Sequence, residues 1–447
     1  MNSVKEEPAL RRELGLRDLT LFAITCIVGV RWIPMAAHAG PGTVTLWLLA
    51  AVFFVAPLGV AVGALSAKCP GSGGLYYWAR DAFGPFHGFL CFWIYWLGLA
   101  FWFPTASLFY MSVAAYTAGP SFAYLADNRA FLIVTSLVAI WIALGTNLVG
   151  MKIGKWTENV GGIATAVIAV LFAIVAALVW LKRGSATPLH IVPKWSWDTL
   201  NLGAATIAYA MSGYEMAAPM GAEIRDPEKS IKQAGWIASI FATVFYAGMT
   251  IALLVLIEPS KLDDRYGLAQ GGSAAAAVLG TPWLAALIAL LVLLSGIGQF
   301  GGIGTSVSRL PFAVGADRLL PASFGKVHPR WHTPHVSIIA LGVVASFLLI
   351  VFQLGDTLRA AYDTLVSLMV IAGFLPYLYI FGAAWKIGKK VSAISGWAIT
   401  ALALVASVVP TDQVTRVWLY ESKLAAATLA MILTAWLLYR RSQRLTR

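Results

Sequence analysis

The sequence is short of charge. Of its 447 residues only 12% are Asp, Glu, Lys or Arg, and 59% are hydrophobic. An ordinary soluble domain carries roughly 25% charged and roughly 45 to 50% apolar residues, so a soluble enzyme is excluded. Cysteine is almost missing too: Cys26, Cys69 and Cys91 are an odd set without a CxxC spacing, which supports neither a disulfide framework nor a zinc site. Of six histidines, three fall in KVHPRWHTPH, but Pro329 and Pro334 stop one helix from presenting His328, His332 and His335 together, so a solvated loop is expected there. No metal and no cofactor is expected. Also absent is any polar linker that would divide the length into soluble domains.

What the sequence has is long charge-free runs. Trp32 to Ala67, Ala82 to Ala126, Gln233 to Ile257 and Tyr266 to Ser308 contain no Asp, Glu, Lys or Arg, and about 20 apolar residues suffice to cross a bilayer as helix. Hydropathy with Gly/Pro punctuation predicts twelve spans, at 19–39, 43–66, 85–117, 129–149, 158–181, 199–222, 233–257, 283–314, 336–354, 360–384, 394–410 and 415–439. The fold class is an all-α integral membrane protein, a single domain over 1–447.

Basic residues gather on the cytoplasmic side of short loops. With the N-terminus inside, 22 Lys/Arg fall in the cytoplasm and nine outside, Arg31 being within a helix, so the formal charge of +12 is largely this asymmetry. Both termini are therefore expected inside, in a cell (inner) membrane, and the charge calls for no nucleic-acid partner. Residues 1–18 balance Lys5, Arg11, Arg12 and Arg17 against Glu6, Glu7, Glu13 and Asp18, so a cleaved signal peptide is not expected despite Ala37-His38-Ala39. Gly296-Ile-Gly298-Gln-Phe-Gly301 matches GxGxxG, but deep in an apolar span it reads as close helix packing rather than dinucleotide binding.

The informative residues are breakers and charges inside spans. The first reads Gly29-Val30-Arg31-Trp32-Ile33-Pro34, and the sixth reads Ser212-Gly213-Tyr214-Glu215 through to Pro219: Gly, a charge and Pro in the same order. Two interrupted helices at matching places in two halves mark inverted-repeat transporters. Unwinding frees N–H and C=O groups that lipid cannot satisfy but a ligand can. Half-helix N-termini attract a carboxylate and freed carbonyls accept an ammonium, which suits an amino acid.

Three stretches carry a family resemblance: CPGSGGLYYWARDAFGPFHGF, SGYEMAAPMGAEIRDPEKSI and SRLPFAVGADRLLPASFGKVHPRWHTP. With the span count, the chain resembles the amino acid, polyamine and organocation transporter superfamily over nearly its whole length. The resemblance implies a five-plus-five inverted repeat (19–181 and 199–384) with two added helices (394–439), and alternating access. It implies Val28, Gly29, Val30, Arg31 and Trp32, and Met211, Ser212, Gly213 and Glu215, as unwound segments facing the substrate, with Tyr209 as an aromatic gate. Helices 3 and 8 of the family also line the site, which adds Gly98, Leu99, Phe103, Gln299 and Ile303.

The chain departs from the family at the first break, usually Gly-Ser-Gly-like and here Gly29-Val30-Arg31. Arg31 stays charged, so it needs an anion, carbonyls or water. Three readings stand open: a receptor for a substrate carboxylate, favouring acidic or keto-acid substrates; a built-in cation where sodium-coupled relatives bind the ion; or a structural partner of Glu215 or of helix carbonyls. Glu215 is expected to couple protons or recognise an amine. Lys152 and Lys155 are expected to precede helix 5, and Glu158 to be a solvated residue at its start. Most of the Phe92–Phe103 aromatics read as packing, with one or two on the pathway.

The function these readings converge on is a secondary amino acid transporter, a sodium-independent exchanger or proton-coupled, with a polyamine or amine exchanger as the alternative. A membrane enzyme lacks its constellation of groups and a channel its polar stripe. The implied partners are a small-molecule substrate and the lipid bilayer; a homodimer is left open.

Overall fold

The computed structural model describes residues 12 and 14–445 apart from 70, 72, 354–357 and 410–416. Pro70 and Ser72 of the Pro/Gly-rich turn, most of the N-terminal tail and the expected helix limits at 354, 410 and 415 lie outside the described residues. Among the described residues the chain is helix and loop, with one isolated bridge between Leu14 and Ile224.

The first span is α1 (Leu16–Ile27) and α2 (Trp32–His38), bent by 43° at their break. Then come α3 (Thr43–Lys68), α4 (Leu75–Phe83), α5 (Pro85–Ala114), α6 (Arg129–Val149) and α7 (Met151–Arg183). An interrupted α8 over 197–210 leads to a 3₁₀ helix, Tyr214–Glu223, and then to α9 (Pro227–Leu256). The chain continues with α10 (Gly267–Leu279), α11 (Trp283–Ala316), α12 (His335–Gln353), α13 (Leu358–Lys386), α14 (Lys390–Val408) and α15 (Val417–Leu445). Nine helices among the described residues are long and apolar enough to cross a bilayer, and the bent α1–α2 pair makes a tenth. The other two expected spans exist but fall short of that measure: α12, with its apolar stretch His335–Val351, and the broken 197–223.

The helices start where local chemistry satisfies their first amides or removes one. The Asn128 side chain accepts from the Phe131 amide at the head of α6, and Pro85 and Pro227 stand in the first turns of α5 and α9, where no donor is needed. Burial then separates centre from rim. The most apolar windows of α5 and α13 are 83% and 72% buried inside the protein, that of α15 only 17%. α5 packs on α13 and α11, α7 on α11, and α1 on α9, so the two breaks lie among the most enclosed helices. The GxGxxG stretch lies within α11, where Gly298 meets Gly161 of α7 and Gly296 meets the Tyr110 ring.

Three boundaries differ from expectation. α7 begins at Met151, so Lys152, Lys155 and Glu158 all lie within the helix rather than before or at its start. α4 was not expected: Leu75, Tyr76, Trp78 and Ala79 form its buried side, but Arg80 and Asp81 interrupt the apolar signal. Nor was α10, whose 13 residues are too few to cross a bilayer and lie in the same charge-free run as the next span.

Candidate functional site

The two breaks are built by glycine and closed by side chains from other helices. At the first, Val28 turns extended (φ −90°, ψ 99°) after α1, and a Cβ on Gly29 would lie 2.9 Å from the Trp32 ring. At the second, Gly213 has φ +115°, a conformation other residues rarely adopt. A Cβ there would sit 3.2 Å from the Cys26 carbonyl oxygen, so the breaks touch.

The freed backbone groups find partners on α9 and α11. The Tyr246 hydroxyl accepts the Gly29 amide at 2.7 Å and lies 3.0 Å from the Ile27 carbonyl and 2.9 Å from that of Ala210, bridging both breaks. Trp47 stacks on the Tyr246 ring at 4.3 Å. Gln299 donates its amide to the Val28 carbonyl at 3.2 Å and accepts from the Tyr110 hydroxyl at 2.9 Å. Inside a bilayer such contacts replace the water that a loop would use.

Between the breaks lies a cavity of about 30 Å³, room for a water or two and not for an amino acid. Of the residues singled out from the sequence, Trp32, Leu99, Tyr209, Ser212, Gly213, Gln299 and Ile303 line it. Val28, Gly29, Val30, Arg31, Met211, Glu215, Gly98 and Phe103 do not reach its wall. Gly98 instead admits Ala372 of α13, and Phe103 packs on Trp102 and Phe300. Sequence reasoning missed Cys26, Ile27, Trp102, Ala210 and Met216 as lining. Their one signal was adjacency to the breaks or, for Trp102, membership of the aromatic cluster. Trp32, Tyr209 and Phe374 form an edge-to-face chain beside the cavity, each step 5.9 Å. Beyond α2 a larger cavity of about 630 Å³ opens among His38, Lys194, Asp198 and Asp264.

Three charged groups stand near the breaks. Glu215, 1% exposed, accepts from the Tyr95 hydroxyl at 2.7 Å, the Tyr377 hydroxyl at 2.8 Å and the Gly213 amide at 3.3 Å. Among the described residues Arg31 makes no pair with it and no hydrogen bond to a helix carbonyl, so of the three readings of Arg31 the structural pair is not met: Glu215 is held by tyrosines on α5 and α13 instead. Glu158 is buried, not solvated, because α7 starts seven residues earlier; Thr305 donates to it at 2.9 Å, and the Thr305 hydroxyl also lies 3.0 Å from the Asn147 amide oxygen.

On the face carrying Leu14 the protein is shut. Arg309 grips Glu223 through two nitrogens, both at 2.9 Å, and Leu14 pairs by its backbone with Glu223 and Arg225, each at 3.1 Å. Asp317 takes Arg80 at 2.6 Å and the Tyr76 hydroxyl at 2.7 Å. Burial and that bond to Asp317 push the Tyr76 phenol well up, so it remains a donor at neutral pH.

The sequence profile of the amino acid permease family matches residues 14–438. The chain belongs to that family. This permease is 25% identical to an uncharacterized transporter of Legionella pneumophila, over 96% of both chains. It is 27% identical to the serine/threonine exchanger SteT of Bacillus subtilis, over 76% of this chain and 77% of that one. It is 23% identical to a probable agmatine/putrescine antiporter, AguD, of Lactococcus lactis, over 84% and 81%. With its apolar helices, membership makes the protein a multi-pass membrane transporter.

Proposed function

We propose that this permease is a secondary carrier of amino acids in the cell membrane, working by alternating access around the two breaks. The observation that carries the reading is the Tyr246 bridge: one hydroxyl ties both broken helices near a small central cavity, so moving either broken helix changes its bonds. In this reading 19–181 and 199–384 are inverted repeats, 394–439 an addition, and both termini face the cytoplasm. Tyr209 with Trp32 is the aromatic gate. Exchange is favoured by the names of two relatives, an exchanger and an antiporter. The second reading, an amine exchanger, rests on the antiporter's printed substrates and on the buried carboxylate of Glu215.

The test is uptake of a labelled amino acid mixture into proteoliposomes of purified protein, with sodium, a proton gradient or internal amino acid imposed separately. Saturable uptake stimulated by internal amino acid and indifferent to sodium is expected. Uptake of putrescine with no uptake of amino acids would move the substrate class to amines. Glu215 is the proton-coupling group in this reading, so Glu215→Gln is expected to flatten the pH profile of transport; an unchanged profile removes that role.

A further inference from the structure

Among the described residues two arginines are fully buried, and they differ in one respect. Arg309 has what a structural arginine in a membrane protein needs: a carboxylate at two nitrogens, the Thr305 carbonyl at 2.8 Å and the Ser308 hydroxyl at 3.1 Å. Arg31 is as deeply buried, at 0% exposure, and has none of this. Among the described residues its Nε and Nη1 meet no hydrogen-bond partner, and its Nη2 meets only the thioether sulfur of Met369 at 3.3 Å. The rest of its surroundings is indole: the guanidinium carbon lies 4.2 Å from the centre of the Trp32 ring and 5.6 Å from that of Trp102.

A guanidinium keeps its charge in a protein, and an uncompensated buried ion costs several kcal/mol. Indole faces attract a cation but do not replace an anion. Glu215 does not serve: among the described residues no ion pair joins it to Arg31, and it is held instead by Tyr95, Tyr377 and the Gly213 amide. Nor does Arg31 sit as a built-in cation would. A residue standing in for a bound metal ion should lie among the oxygens that such an ion uses, whereas Arg31 has sulfur and rings. What remains is an anion that arrives from outside. The way in is adjacent, because Trp32 and Trp102, the two rings against Arg31, both line the central cavity.

We propose that Arg31 is the receptor for a carboxylate of the transported substrate, and that the substrate carries net negative charge: an acidic amino acid, or a keto or dicarboxylic acid. Because the guanidinium of Arg31 meets no carboxylate among the described residues, the carboxylate of an acidic substrate pairs with it on occlusion. A polyamine would add a second uncompensated cation beside it. This inference rests on the carrier reading above and narrows it.

The test uses purified wild-type protein, Arg31→Gln and Arg31→Lys in proteoliposomes, with labelled glutamate, 2-oxoglutarate, serine and putrescine, in chloride and in sulfate. The expected result is saturable counterflow of glutamate or 2-oxoglutarate, with serine and putrescine poor competitors and no dependence on chloride. Arg31→Gln should weaken the apparent affinity for the acid about 30-fold or more, the cost of truncating one partner of a buried charge pair. Arg31→Lys should recover part of the loss, as a point charge without the guanidinium fork. The substrate-free melting temperature of Arg31→Gln should match or exceed the wild type, because an unpaired buried charge has been removed. A lower melting temperature with unchanged transport would make Arg31 structural and overturn the proposal. So would serine or putrescine counterflow that Arg31→Gln leaves intact, while the carrier reading survived. Acid-indifferent transport that requires chloride would assign the guanidinium to an inorganic anion and overturn it equally. Flux of none of the four probes, nor of any other amino acid, would remove the carrier reading itself.

Discussion

The Tyr246 hydroxyl has one proton and three backbone neighbours: the Gly29 amide and the carbonyls of Ile27 and Ala210. Replacing it with Phe keeps the Trp47 stack and strands those groups where lipid and packed side chains offer no substitute. Tyr246→Phe is expected to lower stability by about 1 to 3 kcal/mol and to slow transport more than it weakens substrate binding, because it loosens the joint between the breaks. A detergent melting curve and a comparison of transport rate with half-saturation check this. At this scale the sequence was legible in part. Arg31 and Glu215 stood out as charges within apolar runs, and Gly29 and Gly213 as breakers beside them. Tyr246, Tyr95 and Tyr377 did not, because a tyrosine in an apolar helix looks the same whether its hydroxyl bridges two breaks or reaches an interface.

Among the elements, α7 is the instructive case. Its polar first two turns, with Lys152, Lys155 and Glu158, read as a helix start at the membrane surface, yet the helix begins at Met151 and carries Glu158 inside. Hydropathy measures transfer to lipid; it is blind to a polar group that meets another helix, here Thr305 and Asn147. Thr305→Val removes the hydroxyl that Glu158 and Asn147 share. It is expected to cost about 1 to 3 kcal/mol by leaving buried acceptors without a donor, measured as a fall in melting temperature at neutral pH. The Arg309–Glu223 pair joins α11 to the end of the broken helix. Arg309→Gln leaves a buried carboxylate alone and should destabilise by about 3 to 5 kcal/mol. The double variant with Glu223→Gln should recover much of this in the same melts, and no recovery would mean that the arginine acts through other contacts.

At the scale of the molecule, ten of the twelve expected spans, the bent α1–α2 pair included, were legible because long apolar runs admit few alternatives in a bilayer. Their pairing was not, since packing between helices follows from small residues and shape rather than composition. The cavity between the breaks holds only about 30 Å³, and the Arg309–Glu223 and Arg80–Asp317 contacts join the helices beneath it on the Leu14 face. Alternating access requires that cavity to open to water in turn on each side. Cys26, one of its lining residues and 6% exposed, provides a native probe. The most direct measurement is mixed-disulfide formation at Cys26 in active proteoliposomes of a Cys69→Ser, Cys91→Ser variant, by a small methanethiosulfonate that leaves as methanesulfinate, with and without a saturating transported substrate. Slow labelling is expected, suppressed about tenfold or more by substrate occupying the cavity. An unchanged labelling rate while the same substrate is carried would place the transport path elsewhere and contradict that expectation.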